Sequence, residues 1–111
     1  MVVSILNVDT SAERRTEVFQ TLASLAQLIR RENGCLSCDF CQAGEDDTAF
    51  VMIGEWGSRE TFDDHLRSPA FGVLLGMTPL LRRPIEVRIC TVVAREGMPA
   101  VRKARGQAVA R

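Results

Sequence analysis

Residues Ala49–Phe71 read AFVMIGEWGSRETFDDHLRSPAF, and they decide the fold. The first part is a strand, roughly Thr48 to Trp56, in which Phe50 and Met52 point to one side while Val51 and Ile53 point to the other. Apolar side chains on both faces require cover on both faces. Gly57-Ser58 then breaks the strand, and Ser58 is placed to cap a short helix reaching about Leu66. Ser68-Pro69 starts a second helix, with proline at the first helical position where its missing N–H costs nothing. The only Trp and the only His, Trp56 and His65, fall in this stretch, with Phe62 and Phe71 beside the histidine.

Upstream, Val2 to Val8 is a β-branched run ending at Asp9-Thr10, which predicts a buried first strand. Thr10 and Glu13 have capping-box spacing. From Ser11 to Arg31, Val18, Phe19, Leu22, Leu25, Ala26 and Ile29 recur every three or four residues, the stripe of an amphipathic helix. Asn33-Gly34 ends it. Cys35 to Gln42 alternates, placing Leu36, Cys38 and Phe40 on one face, and the acidic turn Ala43–Asp47 leads into the central strand. Downstream, Phe71 to Leu81 is broadly apolar and stops near Pro84, and Ile85, Val87, Ile89 and Val93 alternate with polar residues as a last strand. The order β-α-β-β-α-β predicts a ferredoxin-like α+β domain, an antiparallel sheet with helices on one face. The chain has helix enough for one side only, so the expected cover for the other side is a second copy, a homodimer.

The 111 residues, 46% hydrophobic, suit one domain, read as residues 1–94. Residues 95–111 are a basic, flexible tail by composition, in which a short helix over Ala100–Val109 is also compatible with the sequence. Residues 1–94 carry 9 Arg and 13 acids; residues 95–111 carry 5 basic side chains against Glu96. Overall the charges cancel, which gives no reason to expect nucleic acid or a membrane as partner. No apolar run approaches the ~18–20 residues of a membrane helix. The start MVVSILNVDT reads as a strand rather than a signal peptide, so the expected compartment is the cytoplasm, with four reduced cysteines. Cys35, Cys38 and Cys41 have a spacing seen in iron–sulfur motifs, but three-residue steps along a strand send consecutive thiols to opposite faces. No metal site is expected from them, nor from Asp63-Asp64-His65, whose neighbours diverge around a helix.

Gly34-Cys35-Leu36, Glu55-Trp56-Gly57-Ser58 and His65-Leu66-Arg67-Ser68-Pro69-Ala70-Phe71, in that order, resemble the antibiotic biosynthesis monooxygenase family. The resemblance covers about residues 2–93 and implies a dimeric α+β barrel. It further implies oxidation of a small aromatic or quinol-like molecule by O₂, without metal or flavin. Such chemistry needs a base, an oxyanion donor and a dry pocket. His65 is the candidate base, Trp56 a stacking platform with an indole N–H, and Asn7 a donor to the oxyanion. With no Tyr and an aromatic fraction of 5%, the substrate lining would fall to Phe40, Phe50, Met52, Phe62, Phe71 and Met77, between helices and sheet. A non-catalytic dimer that binds a small ligand or serves a stress role is the alternative. A haem-degrading relative is disfavoured, because Asn7 alone matches that branch; its Trp would fall at His65 and its ligand His near Leu75.

Overall fold

The structure, a computed structural model, describes residues 1–107. Strand β1 (Val2–Asp9) leads through a 3-10 turn (Ala12–Arg14) into helix α1 (Arg15–Ile29). The hairpin β2 (Cys35–Ala43) and β3 (Asp46–Trp56) follows, then α2 (Arg59–Leu66) and α3 (Pro69–Gly76). A second 3-10 turn (Thr78–Leu80) precedes β4 (Glu86–Thr91), and α4 (Met98–Ala104) comes last. The four strands form one antiparallel sheet in the order β2-β3-β1-β4, the expected ferredoxin-like arrangement.

The alternation along the strands sorts the sheet into two faces. Val2, Leu6 and Val8 of β1 and Phe50, Met52 and Trp56 of β3 are buried beneath the helices. They pack on Val18, Leu22, Leu25 and Ile29 of α1, and on Phe62, Phe71, Leu74 and Met77. The opposite face carries Val3, Ile5 and Asn7, paired in register with Glu55, Ile53 and Val51. Among the described residues none on this face is fully buried, and Ile53 is 41% exposed.

Local chemistry explains where the chain turns. Ser58 accepts the Thr61 amide and Ser68 accepts the Phe71 amide, so each serine caps the helix that follows, as its position predicts. At the start of the first helical segment the cap is Ser11 rather than Thr10. Thr10 is fully buried, and its hydroxyl donates toward the Leu80 carbonyl. Leu36 departs from the expected alternation: a bulge between Cys35 and Ser37 pushes it outward to 62% exposure, while Cys38 and Phe40 keep the inner face. Phe19, expected on the inner stripe of α1, is 43% exposed and lies edge-on to Phe40 at its rim. Gly34 sits at φ +82°, and a Cβ there would meet Thr61 Oγ1 at 2.3 Å, so both conformation and space demand glycine.

In the basic segment, α4 begins two residues before the helix read at Ala100–Val109; Val109 lies outside the described residues.

Candidate functional site

The structure separates the candidate residues into two groups on opposite faces of the sheet. Trp56 ends β3 on the helix-covered face, and Gly54 makes room for its indole: a Cβ on Gly54 would stand 2.9 Å from Trp56 Nε1. His65, on the inner side of α2, stacks on that indole with ring centroids 4.4 Å apart and planes at 22°. Phe71 meets the imidazole edge-on at 5.4 Å, and Phe62 stands 6.1 Å away. Glu32, in the turn after α1, closes the arrangement, its Oε2 3.1 Å from His65 Nδ1. His65 is 6% exposed, so three rings and a carboxylate wall it in. The imidazole is thus stacked on Trp56 and held at Nδ1 by Glu32. Glu32 was not legible as its partner, lying 33 positions away in a segment that reads as a helix end.

The six residues expected to line a pocket are mostly core. Phe50, Met52, Phe62, Phe71 and Met77 are buried, and Phe40 is half-buried against Phe19 and Phe50. Of the six, only Phe50 borders the cavity described next. Leu75, near which the resemblance would place the haem ligand of the haem-degrading branch, is 53% exposed on α3.

Asn7 lies on the other face, in register with Val51 of β3 and Glu86 of β4. There, where β1 finishes and β4 begins, a cavity of about 220 Å³ is bordered by Asn7, Asp9, Phe50, Arg83, Pro84 and Glu86. The segment before β4 is tied to the end of β1. Thr10 bridges Leu81, and the Arg82 amide donates to the Asp9 carbonyl at 2.8 Å. These links bring Arg83 Nε to 2.9 Å from Asp9 Oδ2. Asp9 Oδ1 is buried without a hydrogen-bond partner, since Arg82 Nε at 3.9 Å is near enough for attraction but too far to donate. A buried acceptor left in this state calls for a donor from elsewhere. The cavity therefore gathers the carboxylates of Asp9 and Glu86, an amide, a guanidinium and an apolar border, with Asp9 Oδ1 itself buried behind the lining. Of these residues the sequence singled out Asn7 and Phe50. Asp9 reads as a strand terminator and Arg83 as a solvated charge, until the β1–β4 register brings them together.

Among the described residues no three His, Cys, Asp or Glu side chains converge as a metal-binding set. All four cysteines are free. Burial pushes the Cys38 thiol up to about 11, and burial together with the nearby Glu32 carboxylate raises Cys35, so neither is an activated thiolate. Among the described residues no helix is long and apolar enough to cross a membrane.

Residues 1–74 match the sequence model of a family described as "Antibiotic biosynthesis monooxygenase". A search of curated proteins finds no match. Among solved structures, one described as an antibiotic biosynthesis monooxygenase is similar at 25% identity and TM-score 0.77, covering 85% of this chain and 100% of that one. Rv0793 from Mycobacterium tuberculosis is similar at 24% identity and TM-score 0.78, covering 86% of this chain and 98% of its own. A Deinococcus radiodurans protein assigned to the same monooxygenases has TM-score 0.81 at 21% identity, covering 87% and 97%.

Proposed function

The chain belongs to the antibiotic biosynthesis monooxygenase family, and from that premise we propose that it oxidises a small quinol-like or other electron-rich aromatic molecule with O₂, using no cofactor. The observation that carries the reading is the buried, unpartnered Oδ1 of Asp9 at a cavity that also holds Asn7 and Arg83.

A ring hydroxyl in the cavity approaches the Asp9 carboxylate once the side chains over Oδ1 shift aside, and its proton passes to that carboxylate as electron density leaves the ring for O₂. Asn7 and the Arg83 guanidinium stabilise the phenolate character that develops. Phe50 and Pro84 give the ring an apolar border. The electron-rich ring thereby reduces O₂ itself. For a hydroquinone the balance is one quinol plus one O₂ giving one hydroxyquinone plus one water. One oxygen atom enters the ring, the other leaves as water, and all four electrons come from the substrate. On this reading the base is the carboxylate of Asp9, and the imidazole of His65 serves to hold Trp56, α2 and the turn after α1 together.

The proposal includes a homodimer. Val3, Ile5, Val51 and Ile53 form an apolar strip on the uncovered face, and a second sheet packed there would bury it and roof the cavity mouth. Four free thiols suit a reducing cytoplasm.

The test is oxygen uptake over a panel of small quinols and anthrone-type compounds, with labelled O₂. The expected result is one O₂ consumed per substrate and one labelled atom in the organic product. Binding of the panel at this cavity with no O₂ uptake would instead make the protein a small-ligand carrier.

A further inference from the structure

Beyond Thr91 the chain stays tied to the sheet at two points only as far as Arg95. The Val92 amide donates to the Met1 carbonyl at 2.9 Å and Arg95 pairs with Glu55, which fixes the root of the segment. Past that root no side chain of α4 is buried; Met98 is 57% exposed, Val101 48% and Val93 96%. The radius of gyration, 16.5 Å, exceeds the ~13 Å of a compact chain of this length. Seven residues are too few for a helix to be stable in water by themselves. The helix carries two large apolar side chains, Met98 and Val101, and among the described residues nothing buries them.

A matching surface is also left open. Strand β4 is a sheet edge with every residue exposed. Val87 and Ile89 pair with Leu6 and Ser4, so they point to the helix-covered side, yet they stay 37% and 41% exposed because the helices do not reach that edge. An uncovered apolar edge strand is a surface that proteins ordinarily protect.

We propose that α4 of each protomer crosses to a second copy of this chain and covers the partner's β4 flank, Met98 and Val101 packing where Val87 and Ile89 are exposed. Charge favours another copy as the occupant. The segment from Arg95 to Gln107 carries four basic side chains and one acid, whereas residues 1–94 carry 9 Arg against 13 acids. The clasp rests on the homodimer proposed above, and it adds a contact that the sheet faces alone do not supply.

Hydrogen exchange of the full-length chain, read by mass spectrometry at high micromolar and low nanomolar protein, tests it. The α4 amides are expected to be protected ~10-fold or more at the high concentration, and to lose that protection on dilution. Ile89→Asp and Val101→Asp should each abolish it, while protection of β1 and β3 persists. Protection that ignores dilution means docking within one chain and overturns the proposal. So does protection that is absent at both concentrations, or that appears only when a DNA oligonucleotide is added. A chain that sediments as a monomer throughout removes the dimer as well, whereas a dimer with unprotected α4 removes the clasp alone.

Discussion

The imidazole of His65 lies face to face with the indole of Trp56, ring centroids 4.4 Å apart, with Glu32 on its Nδ1. Removing the ring leaves a void between three aromatic side chains and strips Glu32 of its partner. His65→Ala is expected to lower stability by ~2–4 kcal/mol in urea unfolding, with little change in turnover per folded molecule. Unchanged stability with turnover lost would return the imidazole to the chemistry.

At the cavity the expectation reverses. Asp9→Asn keeps the shape but removes the proton acceptor, so turnover on any quinol accepted by the protein should fall ~10²-fold or more while the fold persists. Arg83→Gln should lower turnover less, and Arg83→Lys should recover part of it, because a point charge still faces the phenolate. Steady-state oxygen consumption against substrate concentration checks both. If Asp9→Asn turns over at the wild-type rate, the carboxylate is not the base.

Gly34 supplies a test of the scaffold. Its φ of +82° is strained for any L side chain, and a Cβ would lie 2.3 Å from Thr61 Oγ1 and 2.4 Å from Thr61 Cβ. Gly34→Ala should cost at least ~2 kcal/mol by urea unfolding. Trimming Thr61 to alanine should not restore it, since the clash includes the Cβ that alanine retains.

The fold was legible because local patterns and global packing agree. The two-faced strand at Phe50–Ile53, the serine caps at 58 and 68 and the glycine at 34 each stand where the structure uses them. The site was less legible because it depends on strand register. Asn7, Trp56 and His65 are close in the logic of a motif, but the parity of β1 puts Asn7 on the face opposite Trp56, which pairs with Val2. The Asp9–Arg83 pair spans most of the chain and exists only through the Thr10–Leu81 bridge and the Arg82 amide bond to Asp9. No local spacing encodes it. Leu36 escaped the alternation for a related reason: one extra residue in a bulge flips a side chain.

The uncovered sheet face predicts what a charge there does. Ile53, 41% exposed on β3 opposite Ile5, would be central to a face-to-face pair of sheets. Ile53→Asp would bury an unpaired carboxylate in that contact. Sedimentation velocity should show monomers, or a dimer dissociation constant raised more than ~tenfold. A dimer of unaltered affinity would place the interface elsewhere.

The root of the crossing segment has its own pH dependence. Ser37 Oγ donates to Glu55 Oε1 at 2.7 Å, and Arg95 pairs with Glu55 Oε2. The Ser37 hydrogen bond first, and the Arg95 guanidinium second, hold the Glu55 carboxyl below its ordinary value of 4.5. A carboxylate whose folded pKa is depressed stabilises the fold above its unfolded pKa, and that contribution drains away as pH falls through the folded pKa. The difference in urea midpoint between wild type and Glu55→Gln should thus be constant above about pH 5, then shrink toward zero as the solution is acidified below 4.5. Other carboxylates, including Asp46, lowered by the Thr48 hydroxyl, titrate in both proteins and cancel in the difference. Hydrogen exchange at residues 92–97 should loosen over the same interval in wild type, and in Glu55→Gln it should be loose throughout. If exchange there stays flat across the acid range in wild type, the Glu55–Arg95 link does not anchor the segment.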